Sequence, residues 1–115
     1  MSTDRKKQLR EEYKKLRPDM GIFVIENLST KIVRLGSSAN LKSIVNRHLF
    51  QLNSGSHPNA ALQREWKEIG EDGFSVRILE TLERDENENA ETDYAEELKT
   101  LLDLCLANIE GAQKI

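Results

Sequence analysis

The side chains able to do chemistry fall into two charged segments and one short polar pair. Arg5, Lys6, Lys7, Arg10, Lys14, Lys15 and Arg17 crowd the N-terminus, and residues 1–17 carry +4 where residues 80–97 carry −8. Clustered cations bind a polyanion by displacing its condensed counterions, which makes Lys6, Arg10 and Lys14 candidate phosphate contacts. The same run also reads as a solvated helix face. The acidic stretch works against nucleic acid through its own field, and a net charge of −3 excludes an evenly basic nucleic-acid binder. Arg47-His48 stands between them, and His57 is the chain's other histidine. Histidine is the side chain whose charge changes near neutral pH.

The elements that must hold these groups begin with a hairpin. Gly21-Ile22-Phe23-Val24-Ile25 reads as a buried strand, Asn27-Leu28-Ser29-Thr30 as its polar turn and Ile32 to Gly36 as the returning strand. Leu41, Ile44, Val45, His48, Leu49 and Leu52 then recur at helical spacing, so this helix lays one face on the hairpin. Leu52 to Asn59 is a loop of Asn, Ser, Gly and Pro. Asn59 caps a second helix whose Leu62, Trp66 and Ile69 face the core and which Gly70 stops. Phe74, Val76 and Ile78 alternate as a third strand, residues 83–91 are too charged to bury, and Tyr94 to Ile109 carries an apolar stripe through Leu98, Leu101, Leu102 and Cys105. Residues 4–16 are rich in helix formers and end at Arg17-Pro18. The fold class expected is α/β (α+β): a small three-stranded antiparallel sheet flanked by helices, spanning 20–110, with an extra basic helix at 1–17.

One domain suits 115 residues. With 5% aromatic and 32% charged residues, its core must come from Leu, Ile and Val. The single Cys105 cannot form an intramolecular disulfide and falls on an apolar stripe, which points to a reducing, cytoplasmic setting. No stretch approaches the ~18 apolar residues of a membrane span, and no apolar leader precedes the first strand.

Gly21-Ile22-Phe23 and Arg34-Leu35-Gly36, followed by Gly36-Ser37-Ser38, Asn40-Leu41, Arg47-His48, Gly55-Ser56-His57-Pro58-Asn59, Leu62-Gln63, Trp66 and Gly70 to Phe74, resemble the GIY-YIG nuclease family. The resemblance covers roughly residues 20–82. It implies a metal-dependent endonuclease in which a tyrosine and an arginine help activate water and stabilise developing charge, while a glutamate on the last helix holds Mg²⁺ or Mn²⁺.

Carried over by position, the reactive groups are largely replaced. Phe23 stands for the first tyrosine and lacks its hydroxyl, Arg34 for the second, and Ile44 for the arginine. Arg47 and His48 persist. His48 either orients water or phosphate, or is a packing histidine satisfied by a backbone carbonyl. Arg34 either restores the lost positive charge or pairs with a carboxylate on the surface. His57 matches a family position in a loop, where it serves the turn or contacts nucleic acid. The metal glutamate is Glu97, with Glu91 or no ligand at all (Thr100) as alternative alignments. The candidates are therefore Phe23, Arg34, Arg47 and His48 for catalysis, Lys6, Arg10, Lys14, Lys42 and His57 for nucleic acid, and Glu97 for metal. Three functions remain open: a degenerate domain that retains nucleic-acid binding, an active endonuclease using Arg34, and a scaffold for a protein partner.

Overall fold

A computed structural model gives the architecture of residues 17–85 and 92–115. The expected N-terminal helix, the tip of the acidic loop, Lys6, Arg10, Lys14 and Glu91 lie outside these described residues. Strand β1 (Met20–Asn27) turns into β2 (Val33–Ser38), then come helix α1 (Leu41–Ser54), helix α2 (Ala60–Ile69), a 3₁₀ turn (Glu71–Gly73), strand β3 (Phe74–Leu82), helix α3 (Ala95–Asn108) and a two-residue strand β4 (Gln113–Lys114).

The sheet order is β3-β1-β2-β4, with β1 antiparallel to both neighbours and β4 parallel to β2. Four strands therefore replace the three expected. The addition is β4, whose two residues are too short to announce a period in sequence. As the central strand, β1 is covered on both faces, which is why it reads as a continuous apolar run. Phe23 and Ile25 face α1 and α2 in one core with Leu41, Leu52, Leu62, Trp66 and Phe74, while Ile22, Val24 and Leu35 face α3 in a second core with Leu102 and Cys105.

Glycines in the two hairpin motifs answer close approaches. A Cβ at Gly21 would run into the Glu80 carbonyl of β3, beside a register shift between Ile22 and Phe23. One at Gly36 would run into the Phe23 ring and an Ile115 methyl. The turn between β1 and β2 is organised by Asn27, fully buried, whose Oδ1 accepts the Ser29 and Thr30 amides at 2.9 and 3.2 Å.

Helix boundaries follow their caps. Asn40 Oδ1 accepts the Ser43 amide and starts α1, and Gly55 in the left-handed region ends it. Asn59 accepts the Leu62 amide to start α2, and Gly70 stops it as expected. Trp66 stacks on Phe74 with ring centroids 4.9 Å apart and gives its indole N–H to Asn53. Two apolar residues expected inside are not: Ile69 packs against Gly73 yet stays 38% exposed, and Ile78 is 45% exposed on β3, an edge of the sheet. Among the described residues no helix is long and apolar enough to cross a membrane.

Candidate functional site

The two histidines meet. Gly55 reverses the chain after α1, and the loop returns His57 to the flank of that helix. The His57 amide donates to Gln63 Oε1 at 2.9 Å, and the Gln63 side chain donates back to the Leu52 carbonyl at 3.0 Å. With the loop clamped to both helices, the His57 and His48 rings lie 4.9 Å apart, and the His48 ring lies 5.2 Å from that of Phe23.

Hydrogen bonds assign the protons of this pair. The Asn59 amide donates to His57 Nδ1 at 3.0 Å, so neutral His57 carries its proton on Nε2. That N–H donates to His48 Nδ1, 2.7 Å away, which leaves the His48 proton on Nε2. No described group accepts from His48 Nε2. It nevertheless stays in contact with solvent, because Arg34 Nε is the one buried side-chain polar atom left without a partner among the described residues. His48 thus keeps an N–H donor in contact with solvent, on a ring that lines the cleft. Burial lowers the pKa of both rings, and His57 and then Arg47 push His48 down further.

The cleft beside the pair measures about 500 Å³ and is lined by Phe23, Gly36, Ser37, Ile44, His48, His57, Pro58, Asn59, Leu102, Lys114 and Ile115. A larger groove of about 750 Å³ lies between α1 and the edge of β3, with Lys42, Asn46 and Val76 in its walls. It contains neither histidine, and both line the smaller cleft. Lys42 belongs to the larger groove.

Arg34 does not reach the cleft. It faces α2, where its Nη1 and Nη2 donate to the two Glu65 oxygens at 3.1 and 2.7 Å, with the pair's side chains 3% and 15% exposed. Asn27 Nδ2 donates to the same carboxylate at 2.9 Å. Arg34 hydrogen bonding holds the Glu65 carboxyl below the usual range, against burial, with help from Asn27. Of the two readings of Arg34, pairing with a carboxylate is the one realised, but in the interior and not at the surface as expected, so its charge is neutralised inside the fold. Glu65 went unnoticed in sequence although a signal existed: it sits three residues after Leu62 and one before Trp66, a carboxylate on an apolar stripe.

The remaining candidates separate. Phe23 is 1% exposed and packs its ring under His48. Ile44 is half-buried, packing on the core while also lining the cleft. Arg47 is exposed on α1, close enough for its charge to act on His48. Glu97 and Thr100 are exposed on α3, and neither lines the histidine cleft. Mg²⁺ and Mn²⁺ take oxygen ligands, but no carboxylate side chain lines this cleft, and of the four ring nitrogens three are held by each other and by the Asn59 amide. Among the described residues no three His, Cys, Asp or Glu converge to hold an ion. The donor set does not fit a hard divalent metal.

No family model matches the chain, and no curated protein sequence does. Solved structures do. The catalytic domain of homing endonuclease I-TevI superposes with a TM-score of 0.66 at 21% identity, covering 84% of this chain and 97% of that one. A mutant of the catalytic domain of intron endonuclease I-TevI gives 0.62 at 22% identity, over 78% and 82%. The architecture of this chain is thus the GIY-YIG-like fold, with a fourth strand added at the β2 edge.

Proposed function

We propose that this GIY-YIG-like domain binds nucleic acid in the histidine cleft and has lost phosphodiester cleavage. The observation that carries the reading is the polar set within a mainly apolar cleft: the coupled His48–His57 pair, with Ser37, Asn59 and Lys114 in the lining, and no carboxylate side chain. The histidine N–H and the lysine ammonium are donors suited to an oxyanion. The larger fold supports nucleic acid as the polyanion, since the similar solved domains are named as endonuclease catalytic domains.

Cleavage needs more than this cleft offers. Phe23 has no hydroxyl to share a proton, Ile44 has no charge, and Arg34 is spent on Glu65. Losing one donor of transition-state charge costs about 10²–10³ in rate, and the losses here fall on the groups that would activate water and meet the developing charge. The active-enzyme reading, with Arg34 replacing the lost arginine and Glu97 holding Mg²⁺ or Mn²⁺, requires both side chains to leave the positions described.

The test is fluorescence anisotropy with labelled single-stranded and duplex oligonucleotides at ~50 mM salt, where phosphate contacts are least screened, beside a nicking assay containing Mg²⁺ or Mn²⁺. Binding without cleavage is expected. Metal-dependent nicking that disappears in Arg34→Ala and Glu97→Ala would establish the enzyme instead, and no binding to any oligonucleotide would leave the protein-partner scaffold.

A further inference from the structure

Positive charge is missing from the cleft wall that α1 builds, since Ile44 stands there with its aliphatic side chain. It reappears on another element. Apart from the two histidines, Lys114 is the one titratable side chain lining the cleft among the described residues. It comes from β4, the strand added at the sheet edge.

Three contacts fix the backbone that carries it. Leu35 pairs with Lys114 and Arg34 with Gln113 in the parallel register of β2 and β4. The Ile115 amide donates to the Leu35 carbonyl at 2.9 Å. The Ile115 side chain packs on the core that holds Phe23, in the space Gly36 leaves open. Because successive strand residues alternate, Lys114 leaves β4 on the face opposite Ile115, the face of α3. Leu102 of α3 lines the same cleft. The cleft therefore starts at the histidine pair, crosses Ile115 at the sheet edge and ends beside Lys114.

We infer that Lys114 is a nucleic-acid-binding residue, contacting a backbone phosphate in the cleft that His48 also lines. The inference rests on the cleft being the nucleic-acid site. Other cations near the cleft are placed differently: Arg34 is paired with Glu65, Lys42 and Arg77 line the groove between α1 and β3, and Arg47 lies outside the lining. Lys114 is exposed, so replacing it leaves the packing of Ile115 intact.

The experiment is the anisotropy titration with single-stranded and duplex oligonucleotides, repeated from ~50 to ~200 mM salt, for the unaltered chain, Lys114→Ala, Lys114→Arg and Lys99→Ala. Lys99 is an exposed lysine of α3 outside the cleft, so its removal changes net charge alone. Lys114→Ala should weaken binding about three- to tenfold at low salt and reduce the slope of log affinity against log salt by about 0.7 on single strands or 0.9 on duplex. Lys114→Arg should restore both, and Lys99→Ala should change neither appreciably. Equal affinity and slope for Lys114→Ala and the unaltered chain would overturn the inference while leaving nucleic-acid binding in place. An equal loss in Lys99→Ala would overturn it too, by reducing the effect to net charge. Absence of binding by the unaltered chain would remove the proposed function and this inference together.

Discussion

Glu65→Ala is the perturbation that most directly tests how Arg34 is held. The native carboxylate accepts two hydrogen bonds from the guanidinium and one from Asn27, at 2.7 to 3.1 Å, with the Arg34 side chain 3% exposed. Removing it strands a buried cation that already has one unpartnered nitrogen, Arg34 Nε. Breaking a buried pair on one side costs about 3–5 kcal/mol, a large part of the roughly 5–15 kcal/mol that stabilises a domain. Part of that loss would come through the hairpin turn, because Asn27 uses Nδ2 on Glu65 and Oδ1 on the Ser29 and Thr30 amides.

Urea unfolding followed by the single Trp66, which is buried against Phe74, reads the effect. With a slope of about 1–3 kcal/mol per molar urea, the midpoint should fall by at least about 1 M. Replacing both partners together, as in Arg34→Met with Glu65→Leu, should recover much of that loss because neither charge then needs a partner, leaving the cost of about 1–3 kcal/mol for the buried Asn27 Nδ2 that Glu65 no longer accepts. The double variant should also keep its oligonucleotide affinity. A loss below about 1 kcal/mol in Glu65→Ala would refute the reasoning, since it would mean that Arg34 swings out to solvent, where it is available to the cleft.

The pair also sets an acid limit. Arg34 holds the folded-state Glu65 pKa below the ordinary value of about 4.3, so its contribution is full above that value and is lost as pH falls through the lowered one; Glu65→Gln should flatten the urea midpoint between about pH 5 and pH 3. Burial lowers both histidine pKa values, so the unfolded chain binds more protons below about pH 6.5 and stability should decline from there as pH falls, less steeply in His57→Gln. Ile44→Ala should cost less than the roughly 2 kcal/mol that begins the range for fully buried isoleucines, because Ile44 is half-buried, whereas Ile44→Arg should fold and tighten oligonucleotide binding in the same titration. Asn59→Ala should cost about 1 kcal/mol in the urea midpoint through loss of the α2 cap.

What the sequence disclosed was whatever local chemistry fixes. The hairpin, the cap at Asn59 and stop at Gly70, and the apolar face of α1 each depend on residues within a turn or two of one another, and each forms where periodicity and cap chemistry place it. The candidate site depends on longer reach. His48 and His57 are nine residues apart, but their 2.7 Å contact requires Gln63 and Asn59 to hold the loop, and neither residue type announces that role. Arg34 and Glu65 are thirty-one residues apart, linked through a sheet face and a helix stripe whose relative placement only the fold supplies. Strand β4 left no pattern at all, since two residues have no period and its partner β2 lies some eighty positions earlier.

These long-range contacts bear on one another. Arginine at position 34 requires a carboxylate on α2, and once Glu65 supplies it, the second hairpin motif becomes part of the packing between sheet and helix. Phenylalanine at position 23 completes the same change in the first motif: its ring keeps the shape under His48, and with no hydroxyl to satisfy it can be buried to 1% without leaving an unpaired polar atom. Gly36 remains necessary for a new reason as well, because the Phe23 ring and the Ile115 methyl both occupy the space a Cβ would take. The same glycine thus connects the motif to β4 and brings Lys114 to the rim of the cleft. Substitutions that look in sequence like separate losses are coupled in the structure through two contacts, Arg34 with Glu65 and Gly36 with Ile115. By that coupling, restoring a tyrosine at position 23 alone would place a hydroxyl in packed space beside His48 and Ile115, and would not by itself recreate a group able to activate water.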